Sequence, residues 1–190
     1  MTMEISLIRH GKSKQLENNR ITCRDFQKWV EKYDSSGVFQ ENHYPTETLE
    51  KIATANIVIT SDLKRSIESA NFLNQNIVVI SDALFRETEL PPFPRELRVK
   101  LSPNCWAFIL RCLWFFGYSR HCESRANAKQ RAKKASEQLV NYAKEHKSVV
   151  LVGHGLFNRL IAEELKKMGW KGKRKSSVKH WNCTTYSFIN

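Results

Sequence analysis

Histidines, arginines and carboxylates stand at the ends of short apolar runs in this chain of 190 residues. Arg9 and His10 close the run 4–8, and His154 sits between Gly153 and Gly155 after the run 148–152. Arg65 follows the run 56–60 by way of Ser61. Arg86 and Glu87 follow the run 76–81, with Glu89 just beyond. An arginine presents a planar fork that matches two phosphate oxygens. A neutral imidazole can attack phosphorus. A carboxyl group can protonate a leaving oxygen. Residues of these types, brought to one place, could transfer a phosphoryl group.

The elements that would bring them there are readable from the apolar pattern. The runs 4–8, 56–60, 76–81 and 148–152 are almost wholly apolar, as strands covered on both faces must be. The segment 184–189 reads as a last strand. Helical patterns lie between them. A polar stretch over 12–33 carries Phe26, Trp29 and Val30 and is helical in part. The ranges 46–55, 62–73, 103–116, 123–146 and 156–168 read as helices, with Asp62 as an N-cap. Pro91, Pro92 and Pro94 hold 84–96 open as a loop. Strands alternating with helices predict an α/β fold: a three-layer α/β/α sandwich with a mostly parallel central sheet. In such sheets ligands sit beyond the carboxyl ends of the strands, where the residues above fall. Length predicts a single domain over 1–190, with an excursion at about 88–122.

The ordered set Leu7-Ile8-Arg9-His10-Gly11-Lys12-Ser13, Ser61-Asp62-Leu63-Lys64-Arg65-Ser66 with Ala70, Leu84-Phe85-Arg86-Glu87, Glu123-Ser124 with Arg131, and Val152-Gly153-His154-Gly155 resembles the histidine phosphatase superfamily, the phosphoglycerate-mutase-like proteins, in its small bacterial-type phosphatase branch. The resemblance covers about residues 4–165. It implies that His10 is the nucleophile, forming a phosphohistidine, and that Arg9, Arg65 and His154 hold the phosphoryl oxygens. It implies that Glu87 donates the proton to the leaving group and then activates water. Gly11 and Gly155 would leave room for phosphate against the backbone. No cofactor or metal is implied. Many members carry an Asn where this chain has Leu16, and Asn18 and Asn19 are the nearby amides. Ser13 and Glu89 remain further candidates, since Glu87 and Glu89 share a side of an extended loop.

Competing readings are weaker. Two histidines and a carboxylate could hold a metal, but two arginines in the same pocket would repel it. Gly11-Lys12-Ser13 ends like a P-loop, yet Ser6 stands where that motif needs glycine. Ser61-Asp62-Leu63-Lys64 matches S-x-x-K without its companion motifs.

The net charge of +12 and pI near 9.6 favour anionic partners. The basic run from Lys166 to Lys179 lacks a stacking aromatic pattern and reads as a solvated loop, not a nucleic-acid surface. The expected partners are a phosphorylated small molecule or phosphopeptide, with inorganic phosphate as product. The five cysteines are odd in number, none is spaced C-x-x-C, and no secretory signal opens the chain, so a cytoplasmic setting is expected. The longest apolar stretch, 105–118, is broken by Arg111 and is too short to span a bilayer. Trp106, Ile109, Leu110, Leu113 and Trp114 recur at helical spacing, which suits a packed helix. The other reading is a lid, in which Phe93, Trp106, Phe115 and Phe116 wall the leaving group. The expected activity is phosphomonoester hydrolysis. Phosphoglycerate-mutase-type transfer is the second reading, and a non-catalytic phosphate- or nucleic-acid-binding module the third.

Overall fold

The computed structural model describes residues 2–74, 79–95 and 97–189. Its strands are β1 (Thr2–Arg9), β2 (Ile57–Thr60), β3 (Val79–Ser81), β4 (Ser148–Gly153), β5 (Lys171–Gly172) and β6 (Cys183–Ile189). Its helices are α1 (Cys23–Ser35), α2 (Thr46–Ala53), α3 (Lys64–Leu73), α4 (Pro103–Phe115), α5 (Arg125–His146) and α6 (Gly155–Lys167). The strands form one sheet in the order β3-β2-β4-β1-β6-β5. The β3, β2, β4 and β1 strands run parallel, and β6 lies antiparallel to both β1 and β5.

Both faces of the sheet are covered, which is why its central strands read as unbroken apolar runs. Ile5, Leu7, Ile57, Ile59, Val149 and Leu151 pack on one face against α5 and α6. The alternate residues Ile8, Val58, Val150 and Val152 pack on the other with Ile52 of α2 and Ala70 and Leu73 of α3. Each such valine, leucine or isoleucine side chain, fully removed from water, contributes about 1.5–3 kcal/mol. Helix α5 lays Ala128, Ala132, Ala135 and Ala143 on the sheet, and these small residues let a long basic helix approach closely. A third cluster of Cys23, Phe26, Trp106 and Leu110 joins α1 to α4.

Two local expectations are corrected. Asp62 does not cap α3: the cap position is Leu63, with no side-chain bond, and Asp62 instead takes both guanidinium bonds of Arg86 at 2.5 and 2.6 Å. The basic run after α6 is not all loop, because Lys171 and Gly172 pair with Ser187 and Tyr186 as the sheet edge β5. The stretch 12–33 is helical in part, as expected: α1 begins at Cys23, capped by Thr22. Of the strand expected over 76–81, residues 76–78 lie outside the described residues. Among the described residues no helix is long and apolar enough to cross a membrane.

Candidate active site

Pairing between β1 and β4 sets the centre. Their parallel register places Arg9 opposite Gly153, and the His10 amide donates to the Gly153 carbonyl at 2.9 Å. The residues that follow, His10 and His154, therefore emerge side by side, with ring centroids 5.1 Å apart and edge to face. Both are buried. The His10 Nδ1 lies 2.7 Å from the Gly11 carbonyl. A carbonyl oxygen only accepts, so Nδ1 carries the proton and Nε2 keeps its lone pair. Burial, reinforced by Arg65 and Arg9, holds the His10 imidazole well below its ordinary value and uncharged. Burial does the same to His154, with His10, Arg65 and Arg9 adding to it. The His154 Nε2 lies 2.7 Å from the Ser61 hydroxyl, and its Nδ1 is buried without a partner.

Helix α3 supplies Arg65 from its first turn. The side chain is 3% exposed, bonds Asp34 at 2.8 Å and stacks over the Tyr33 ring at 4.8 Å. Its Nε is buried and unpartnered, as is that of Arg9. Burial lowers the Arg9 guanidinium, opposed by Tyr33 and Glu87. One Arg9 nitrogen donates to the Val178 carbonyl. The loop after β1 is tied to α3 through Ser69, which accepts the Gly11 amide at 2.9 Å and donates to the Arg65 carbonyl at 2.6 Å. Gly11 is required by a neighbouring side chain: a Cβ there would lie 2.0 Å from the Trp181 ring.

The loop after β3 and its 3-10 turn (Ala83–Phe85) carries Glu87 to the start of α6. Its carboxylate accepts the amides of Phe157 at 2.9 Å, Leu156 at 3.1 Å and Thr88 at 2.9 Å. Glu89 turns elsewhere and accepts the Glu123 amide at 3.0 Å. Two arginines clamp this loop. Arg131 pairs with Glu123 at 2.7 Å and donates to the carbonyls of Leu84 and Arg86 at 2.8 and 2.9 Å. Arg111 donates to the Thr88 hydroxyl and carbonyl at 2.7 and 2.9 Å.

The structure thus gathers His10, His154, Arg9 and Arg65 and brings Glu87 to the same helix start as His154. Arg86 faces solvent with Asp62. Ser13 is buried and accepts the Gln15 amide at 3.2 Å, while Leu16 is 57% exposed. Among the described residues no His, Cys, Asp and Glu side chains group as a metal cage. Trp106 is core: it packs on Phe93 at 5.4 Å and donates to the Ile21 carbonyl at 2.8 Å. Phe116, by contrast, is 90% exposed. An open cleft of about 340 Å³ runs between α1 and the 90–93 loop, lined by Phe26, Val30, Leu90, Pro91 and Phe93.

The sequence does not single out Tyr33, Asp34 or His180; Ser61 stands there only as the head of a motif, and Arg111 only as a break in an apolar stretch. His180 had a signal, because an antiparallel last strand beside β1 must bring the residues before it next to His10. Its Nδ1 lies 2.8 Å from the His10 carbonyl, and the two rings are 5.5 Å apart.

A mostly parallel sheet whose strand ends and following helix α3 gather two histidines and two arginines suits an α/β protein that handles phosphoryl groups. The chain belongs to the histidine phosphatase superfamily, branch 1, whose family model matches residues 5–189. Among solved structures it is similar to a phosphoglycerate mutase from Bacillus anthracis, with 18% identity over 98% of this chain and 88% of that one and a TM-score of 0.61. It is also similar to a mycobacterial glucosyl-3-phosphoglycerate phosphatase, with 20% identity over 88% of this chain and 80% of that one and a TM-score of 0.55. The same mycobacterial phosphatase with inorganic phosphate aligns at 20% identity over 87% and 78% of the two chains, with a TM-score of 0.52. No curated protein sequence matches.

Proposed function

We propose that this protein is a metal-independent phosphomonoester hydrolase working through a phosphohistidine. The carrying observation is the bare Nε2 of an uncharged His10, set beside buried Arg9 and Arg65 nitrogens that lack partners. Unpaired buried donors of this kind favour an anion. The His10 Nε2 attacks phosphorus, and the phosphorus–oxygen bond to the leaving group breaks. Glu87 gives that oxygen its proton. Arg9 and Arg65 hold the equatorial oxygens, and their charge compensates what builds there. With the Ser61 hydroxyl donating to Nε2 of His154, the proton of that ring sits on Nδ1 and serves as a further donor. In the second half, Glu87 takes a proton from water, whose oxygen attacks phosphorus and releases His10 and inorganic phosphate.

The superfamily and the phosphatase neighbours support phosphoryl chemistry at this level. The substrate is a phosphorylated small molecule or phosphopeptide, and the free thiols suit a reducing cytoplasm. The test is acid quenching during turnover of an aryl phosphate. An acid-labile, base-stable phosphoryl group on His10, absent from His10→Ala, is expected, and activity should survive a chelator. A hydroxyl-linked adduct, or activity that a chelator abolishes and a divalent metal restores, would overturn the mechanism. Transfer of the phosphoryl group to a second hydroxyl of the substrate, instead of release to water, would favour the mutase reading.

A further inference from the structure

We propose that His180 is a fourth phosphoryl-binding side chain beside Arg9, Arg65 and His154, whose Nε2 takes up a proton as a phosphate dianion enters and donates it to a phosphoryl oxygen. The inference rests on the reading of this site as phosphate-binding. It begins from the bond between the His180 Nδ1 and the His10 carbonyl, 2.8 Å long. Because the carbonyl can only accept, Nδ1 is the protonated nitrogen. The neutral ring therefore carries its lone pair on Nε2, on the far side of the imidazole. Nε2 has no hydrogen-bond partner among the described residues. The ring stands 5.5 Å from the His10 ring, close to the 5.1 Å that separates His10 from His154.

The backbone is built to hold it there. Register between β1 and β6 pairs Ile8 with Cys183, and the Trp181 amide donates to the Arg9 carbonyl at 2.9 Å. Trp181 has φ of 64°, a left-handed conformation that a bulky residue adopts only when its surroundings enforce it. Four contacts do so here. Its indole donates to Glu41 at 2.8 Å, its carbonyl accepts the Thr48 hydroxyl at 2.6 Å, its ring meets Tyr44 edge-on at 4.7 Å, and Gly11 lies against its face. A backbone held in this unfavourable turn places His180 against the nucleophile.

Electrostatics make the ring a conditional cation. Half-burial and the nearby Arg9 and Lys12 disfavour its charged form, and these outweigh Glu41 and the bond to His10. His10 itself faces it uncharged. In the free site His180 is therefore neutral near neutral pH. A phosphate dianion between Arg9, Arg65 and His180 reverses the sign of the local field, and the ring gains a proton from solvent. No covalent bond changes in this step: one proton moves from solvent to Nε2 and an N–H···O bond forms.

Calorimetry of inorganic phosphate binding tests this, run at about pH 7.5 in two buffers of different ionisation enthalpy. The native protein should take up close to one more proton per phosphate than His180→Gln, which keeps an N–H donor but cannot titrate. His180→Ala should weaken phosphate inhibition by about tenfold or more, the usual worth of a charge-assisted bond. A third measurement needs no variant: the His180 ring nitrogens of the native protein should move to the imidazolium signature when phosphate is added. Equal proton uptake in native and Gln proteins, or a ring that stays neutral in the phosphate complex, would make His180 a structural pin and overturn the proposal while leaving the hydrolase reading intact. A native protein that binds no phosphate would overturn both.

Discussion

Glu87 accepts the backbone amide of Phe157 at 2.9 Å, across the gap between the loop after β3 and the first turn of α6. That bond, with its neighbour at Leu156, ties the carboxylate to the helix that begins beside His154. One oxygen, Oε1, takes the Thr88 and Phe157 amides, and Oε2 takes only Leu156, so Oε2 retains acceptor capacity. Glu87→Gln should slow hydrolysis of alkyl phosphates by roughly 10²–10⁴, because a poor leaving group needs the proton. An activated aryl phosphate should lose far less. Rates plotted against leaving-group pKa check this, and a parallel drop across the series would remove Glu87 from the acid role. Glu89→Gln should leave that plot unchanged, since its carboxylate serves the Glu123 amide.

The pH dependence follows from the two buried rings. Both His10 and His154 are held well below their ordinary value of 6.5, by burial first, then for His10 by Arg65 and Arg9 and for His154 by His10 followed by those arginines. In the unfolded chain they titrate near that value. Above it neither state binds the proton and the stability is complete. As pH falls below it, the unfolded chain takes up protons that the folded protein refuses, and stability declines toward the folded values. The Tm should therefore fall on acidification below about pH 6.5, and a His10→Gln, His154→Gln double variant should show a flatter profile if it folds. A native Tm that is flat or rises through that range would show that the rings are charged in the fold.

The clamp on the loop that bears Glu87 makes a separate prediction. Arg111→Met removes the donors to Thr88 while keeping the aliphatic bulk that lies near Trp114. The kcat should drop with little change in KM, because Arg9, Arg65 and His154 are untouched while Glu87 loses its fixed position. Restoration by Arg111→Lys should be poor, since one ammonium cannot reproduce the fork. A rise in KM alone would indicate a direct contact with substrate.

Trp106 and Phe116 separate packing from exposure on α4. Trp106→Ala should cost about 3–5 kcal/mol, as expected for a large aromatic side chain removed from a core. Phe116→Ser should change stability by no more than about 0.5 kcal/mol. Denaturant midpoints give both numbers. If Trp106→Ala instead folds normally and loses affinity for bulky esters, the indole belongs to the substrate.

Much of this arrangement is legible in sequence because the central strands are short, apolar and parallel, and the residues after such strands converge by geometry. Arg9, His10, Arg65, Glu87 and His154 are readable in that way. Tyr33 and Asp34 are not, because they reach Arg65 from the far end of α1 and nothing in their local pattern names that target. Asp62 misled for the same reason: it has the chemistry of an N-cap, but a doubly bonded Arg86 competes for it. The two-residue strand β5 carries no periodicity to detect. Its pairing is imposed by β6.

Strand β1 takes its two neighbours from far along the chain, β4 at 148–153 and β6 at 183–189. During synthesis at about 5–20 residues per second, His10 therefore leaves the ribosome well before β4 and β6 and waits for its surroundings until β6 has emerged. Assembly of the centre is a late, long-range event, and loop closure over most of the chain makes it slow. The contact of Trp181 with Gly11 closes at the same stage. A translation product that stops before residue 181 would keep His10, Arg9, Arg65, Glu87 and His154 and still present an edge at β1 that is unpaired and open to aggregation. Intactness of those five residues is therefore no guide to whether a shortened product can act.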